Sequence, residues 1–463
     1  MCKKEELFSQ LKRALEEMEE KKFEQARKIL NELSDELNGT KEYEELLGEW
    51  NLLMGRLHVF EPDLAISYLQ RARELIKGRS VIVPKGCGIP MEIYGPLFTF
   101  LRTPGTADAV GKKLEQMMDL HDSLCGETSR YDQIYYAQLA YYRGDFEKAE
   151  ELFLKLERNG RRTGNLLDQL CVAEYKTRIA FHKRDSREWN RAFSVICGMQ
   201  NSDNRVAREV AACMKSQIQM SIGLLDGVPK WIRNGKFGAI SEGRYYRMVE
   251  DRVSHSVFPI AWLTYMEYLL GMGDFYRVIN GADIAASLYG LDWMLLCDCY
   301  LKLYKASAWN ALGNHERTVE FLRKAVKILA PDGLWLFGAE FFTTLGESLL
   351  EEIEPYGEET VEKYLKFSKE YIEKLNLIRN TKSESIFNEP LTEKEQEVAR
   401  LAAFGLKNEE IGEQLFISRN TVKFHLANVY KKLEISNRLE LKEAMDAQKE
   451  SESAYWMGFH KKS

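Results

Sequence analysis

The stretch Gly144–Glu157, GDFEKAEELFLKLE, decides how most of this chain folds. Glycine takes the left-handed turn at a helix end at little cost, so Gly144 closes one helix and Phe146 opens the next. Ala149, Phe153 and Leu156 then fall on one face of that second helix. The small Ala149 lets the two helices approach closely, and the aromatic ring one turn further on fills the gap between neighbouring pairs.

The same frame recurs on both sides. KKFEQARKIL carries Phe23, Ala26 and Leu30, and PDLAISYLQRA carries Ala65, Leu69 and Ala72. GDFYRVINGADIAA has Gly273, Phe275, Val278 and Ala285, and GNHERTVEFLRKA has Gly313, Leu322 and Ala325. These strings resemble the tetratricopeptide pattern, a helix-turn-helix repeat of about 34 residues that stacks into a superhelix. Composition agrees. Of ten prolines, five lie between Pro62 and Pro104, and good helix formers dominate elsewhere. The expected fold class is all-α, a tetratricopeptide-like helical solenoid over residues 1–380. An irregular insert interrupts it at about residues 78–106, GRSVIVPKGCGIPMEIYGPLFTFLRTPGT, with five glycines and four prolines. A connection that long is uncommon unless it has a role.

The 463 residues are 45% hydrophobic, enough for a sizeable core, with 65 basic and 71 acidic residues and a net charge of −6. That balance fits a soluble cytoplasmic protein and argues against disorder or a basic coat for nucleic acid. Eight cysteines are scattered with no CxxC pair, which reads as free, mostly buried thiols in a reducing compartment rather than a zinc site. MCKKEELFSQ has no apolar core, so no signal peptide is expected at this end. Val257–Met272 is apolar but short for a membrane span, and it contains Pro259 and Glu267; it reads as a buried helix. GTADAVGKK, from Gly105, misses the phosphate-cradling spacing by one residue and has Lys113 where Ser or Thr would bind magnesium. With no HExxH, no GxSxG and seven dispersed histidines, no catalytic residues, cofactor or metal are expected, and no enzymatic activity. Trp231 and Trp262 are candidates for lining a ligand groove, beside their ordinary role as core residues.

Composition changes at NTKSESIFNEP, Asn380–Pro390. A linker over 381–389, a second domain over 390–450 and a tail over 451–463 are expected. The second domain reads LTEKEQEVARLAAFGLKNEEIGEQLFISRNTVKFHLANVYKKLEISNRLELKEA from Leu391 to Ala444. Thr392 and Glu395 form a capping-box pair. Gly405 ends a first helix, and Asn408 caps a second with Ile411 and Leu415 inside. Ser418 caps a third, on which Val422, Leu426, Val429 and Leu433 make one buried stripe. Asn437 caps a fourth. Between Ser418 and Leu433 stand four basic residues and no acid. Two helices joined by a tight turn, the second with a basic, amide-bearing outer face, describe a helix-turn-helix that enters the major groove.

This segment resembles the LuxR-type helix-turn-helix, through Leu391, Thr392, Glu395, Glu397, Val398, Gly405, Asn408, Glu410, Ile411, Leu415, Ile417, Ser418, the TVKxH core from Thr421 to His425, Asn428, Lys432, Leu433 and Arg438. It departs at Arg400 and Ala403, at Gly412 in place of a small alanine, and at the bulky Phe424. The resemblance implies a helix-turn-helix spanning Asn408 to Ala427. It implies phosphate contacts from Arg419, Asn420 and Thr421, base contacts from Lys423, Phe424 and Ala427, flanking positions for His425 and Asn428, and a phosphate contact from Lys431. It implies a homodimer through the fourth helix, with contacts at Asn437, Leu441 and Ala444. The repeats are more loosely similar to those of MalT-like bacterial regulators. Double-stranded DNA is the partner implied, with an unknown effector or protein on the repeats and no membrane. The alternative is a protein-interaction scaffold that binds DNA only weakly.

Overall fold

A computed structural model describes residues 3–20, 22–38, 41–88, 95–126, 130–163, 166–183, 185–221, 224–225, 227–235, 257–287, 294–380, 393–403, 405–415, 417–432, 435 and 437–442. The expected linker 381–389, Leu391, Thr392, Leu433, Ala444 and the tail 451–463 lie outside the described residues. Every regular element among the described residues is helical.

Lys3–Glu19 (α1) packs on Phe23–Asn38 (α2), and Glu44–Leu57 (α3) on Pro62–Leu75 (α4). The insert contributes Pro96–Phe100 (α5) and runs into Ala107–Cys125 (α6). Tyr131–Tyr142 (α7) pairs with Phe146–Thr163 (α8), and Leu166–Lys183 (α9) with Ser186–Met199 (α10); Arg205–Ser221 (α11) and Lys230–Arg233 (α12) follow. The later array is Val257–Gly271 (α13), Phe275–Ser287 (α14), Leu295–Ala311 (α15) and His315–Leu329 (α16). It ends with the short helices Leu336–Glu340 (α17), Phe342–Leu345 (α18) and Glu347–Ile353 (α19), and the long Glu358–Asn380 (α20).

The glycine turns are built alike. Gly144, Gly273 and Gly313 have φ of 79°, 73° and 74°. At each, two successive backbone amides reach back to the preceding helix, as in Gly144 N to Tyr141 O at 2.8 Å and Asp145 N to Ala140 O at 2.9 Å. The next residue then caps the following helix: Asp145 Oδ1 accepts from Lys148 N, and Asn314 Oδ1 from Arg317 N. Two residues thus end one helix and start its partner. Ala26, Ala65, Ala72, Ala149, Ala285 and Ala325 are fully buried where paired helices cross. Trp262, considered for a ligand groove, is buried in the core, and Trp231 packs partly buried against it.

The insert has a structural role that the sequence left open. Phe98 of α5 stacks on Tyr300 of α15 at 6.2 Å and meets Tyr142 of α7 and Phe337 of α17. Asp332, after α16, accepts from Gly105 N at 2.6 Å and Ala107 N at 2.9 Å, and its carbonyl accepts from Arg143 Nε. The early helices therefore join the late ones, and the array returns on itself. α20 closes the same region. A Cβ built on Gly144 would lie 1.9 Å from Phe367 Cζ, and Tyr371 lies against Phe181 and His182 of α9. The seven described cysteines are free thiols, and no helix among the described residues is long and apolar enough to cross a membrane.

Candidate nucleic-acid interface

Val398, Ala399, Ala402, Ile411, Val422, Leu426, Val429 and Leu441 form a separate, smaller core near the C-terminal end of the described residues. Glu393–Ala403 (α21), Asn408–Leu415 (α22) and Arg419–Lys432 (α23) surround it. Gly405, at φ 94°, ends α21 with the same paired amide bonds as the repeat turns. Ser418 Oγ accepts from Thr421 N at 3.1 Å and opens α23 as expected. The stripe Val422, Leu426, Val429 is buried.

Two expectations need correction. Asn408 does not cap α22; it is the first helical residue, and its Oδ1 accepts from Arg438 Nη2 at 2.5 Å. The cap position belongs to Lys407, whose backbone N donates to Glu410 Oε2 at 2.6 Å, while Ile411 N bonds Lys407 O. Leu441, expected at a dimer contact, is fully buried in its own domain core. Residues 438–442 are helical, and the exposed apolar side chain there is Leu439 (67%). The sequence shows only period and polarity at such a short helix, and its rotation is set by Arg438. That guanidinium donates to Leu406 O and Asn408 and so ties the fourth helix to the turn between α21 and α22. Asn437 does cap this helix: its Oδ1 accepts from Leu439 N and Glu440 N at 3.0 Å.

The outer face of α23 presents Asn420, Lys423, Phe424 and Ala427 to solvent, with Phe424 63% exposed. Thr421, His425 and Asn428 are half-buried, and the Lys431 side chain lies outside the described residues. Arg419 is exposed and pairs with Glu409 of α22 at 2.9 Å. A surface pair of this kind contributes little, so a phosphate can replace the carboxylate. Beside it a cleft of about 470 Å³ runs between α22 and α23, lined among others by Lys407, Asn408, Arg419, Lys423, Tyr430 and Arg438. Arg419, Asn420, Lys423, Phe424 and Ala427 thus share one exposed face, on a helix that carries no acid. Such a face can sit on a phosphate backbone and read base edges. Arg438 is the functional-site residue to which sequence reasoning gave no role beyond its place in the pattern.

Comparison with known proteins places this segment. The family described as bacterial regulatory proteins, luxR family, matches residues 389–444. The transcriptional regulatory protein LiaR of Bacillus subtilis is 41% identical over 66 residues, 14% of this chain and 31% of LiaR. The HTH-type transcriptional regulator MalT of Vibrio cholerae is 39% identical over 74 residues, 16% of this chain and 8% of MalT. The probable transcriptional regulatory protein SgaR of Hyphomicrobium methylovorum is 36% identical over 123 residues, 27% of this chain and 50% of SgaR. The chain therefore spans under a third of LiaR and under a tenth of MalT. No solved structure matches the chain at a significant level. The family's match over residues 389–444, on a segment whose three described helices enclose their own core and expose Arg419, Asn420, Lys423, Phe424 and Ala427, makes this C-terminal segment a LuxR-type helix-turn-helix domain.

Proposed function

We propose that the chain is a DNA-binding transcription regulator, with helical repeats that respond to a small molecule or protein partner. The carrying observation is the solvent-facing row Arg419, Asn420, Lys423, Phe424 and Ala427 on α23 of a luxR-family domain. In this reading Arg419, Asn420, Thr421 and Lys431 contact phosphates, and Lys423 donates to guanine O6 and N7. Phe424 packs on a thymine methyl, and Ala427 leaves room for the base edge, with His425 and Asn428 supporting the row. The protein binds as a homodimer. Asn437 starts the helix at the two-fold axis, and Leu439 offers the apolar contact first assigned to Leu441. Ala444 keeps its assigned place at that axis. Inverted half-sites about one helical turn apart follow from the symmetry.

The test is selection of bound sequences from a random duplex pool, followed by anisotropy titration across salt concentrations. A reproducible inverted repeat, with affinity falling as salt rises, supports the reading. Absence of any sequence preference at low salt, with folded protein, refutes it and favours the scaffold.

A further inference from the structure

The cleft between α22 and α23 is lined by four cations, Lys407, Arg419, Lys423 and Arg438, and by one carboxylate, Glu409. The cations are not equally available. Arg438 is committed to the fold through Leu406 O and Asn408 Oδ1. Lys407 and Lys423 are exposed and have no ion pair among the described residues. Arg419 is held: its Nε lies 2.9 Å from Glu409 Oε1, with the two side chains 59% and 53% exposed.

Glu409 and Glu410 both stand in the first turn of α22, but they do different things. Glu410 Oε2 accepts from Lys407 N and so satisfies a free amide at the helix start. Glu409 bonds no backbone amide of a described residue, and its side chain turns to Arg419. α23 carries no acid of its own, so Glu409 is the carboxylate that α22 brings to the contact row.

A phosphate that approaches this row meets Arg419 already occupied. A guanidinium can meet a phosphate with two parallel N–H bonds, so its loss to a carboxylate removes the strongest phosphate ligand of the row. The phosphate must displace Glu409, and the released carboxylate then repels it from the same rim. An exposed pair breaks easily, so the restraint lowers affinity without closing the face.

We propose that Glu409 sets the affinity of the DNA face by competing with the phosphate backbone for Arg419. This deepens the DNA-binding reading and rests on it, adding a residue that opposes binding. A domain restrained in this way holds DNA weakly by itself. Occupancy then depends on two domains engaging one inverted repeat together, which is the step that the rest of the chain can control.

The test is anisotropy titration of the full chain on the selected duplex and on a scrambled duplex of equal length, across a salt series. Wild type is compared with Glu409→Gln, Arg419→Gln and the double substitution. Glu409→Gln is expected to tighten binding to both duplexes roughly two- to fivefold per domain and to steepen the salt dependence. In the Arg419→Gln background the same change is expected to alter affinity by less than about twofold. Thermal melting separates this from a purely structural role, since an acid that only supported the start of α22 would on removal lower the melting temperature and weaken binding. No tightening in Glu409→Gln, or equal tightening with and without Arg419, overturns the inference alone. Absence of sequence preference in the wild type refutes the regulator reading instead, and the competition for Arg419 is still read on the scrambled duplex. Failure to bind either duplex at low salt overturns both.

Discussion

Single residues on α23 and around it have separable effects. Lys423 is exposed on the recognition face, so Lys423→Ala is expected to weaken specific DNA binding by ~1–3 kcal/mol while leaving the melting temperature nearly unchanged; titration against the selected site checks both. Arg438 acts through the fold. It lines the cleft, yet its bonds go to Leu406 and Asn408, so Arg438→Ala is expected to destabilise the domain by about 1–3 kcal/mol and to weaken specific and non-specific DNA binding together. Glu267 gives a pH dependence. Its folded pKa of about 8 lies above the ordinary 4.5, so the folded state holds the proton more tightly and stability falls as pH rises between those values. Arg178, Glu340 and Tyr304 are the groups in electrostatic reach of it. Glu267→Gln is therefore expected to raise the melting temperature clearly at pH 9 and scarcely at pH 4, read by calorimetry.

Among the elements, the repeat helices were legible because two residues carry each turn. Glycine with Asp or Asn after it marks the closure at 144, 273 and 313, and the alanines mark the crossings. The same logic found Gly405, Ser418 and Asn437 in the small domain. It misplaced Asn408 because Asn is a preferred cap, and a distant arginine outcompeted that local role through a charge-assisted bond. It misplaced Leu441 because a single helical turn has too few residues to show which face is buried. Gly144 also serves a purpose beyond its turn: it leaves the space that Phe367 of α20 fills. Gly144→Ala is expected to cost about 2 kcal/mol or more, from positive φ and the clash together, and to raise protease sensitivity along α20; urea unfolding with limited proteolysis tests it.

At the scale of the molecule, the insert holds the repeat array closed. Asp332 satisfies two backbone amides of the segment that leads from α5 into α6, so Asp332→Ala strands Gly105 N and Ala107 N. A loss of about 1–3 kcal/mol is expected, with faster hydrogen exchange across residues 101–107, measurable by mass spectrometry. The acidic balance has its counterpart at this scale. After residue 380 there are 13 basic and 14 acidic residues, so in the proposed function attraction to DNA comes from one helix face rather than from net charge, and modest non-specific binding is expected.

What the sequence determined by itself is everything that depends on near neighbours: helix content, the glycine turns, the buried stripe of α23 and the exposed row from Arg419 to Ala427. Those features follow from period, capping and side-chain size within one or two turns of chain. The tertiary structure decided what depends on residues far apart in sequence. Phe98 meets Phe337, Asp332 holds residues 105 and 107, Arg438 latches the turn at 406–408, and Arg178 joins Glu174 to Glu340. Such contacts carry no local period. They arise where the array returns on itself or where one side chain out of many has the reach and charge to bridge two helices.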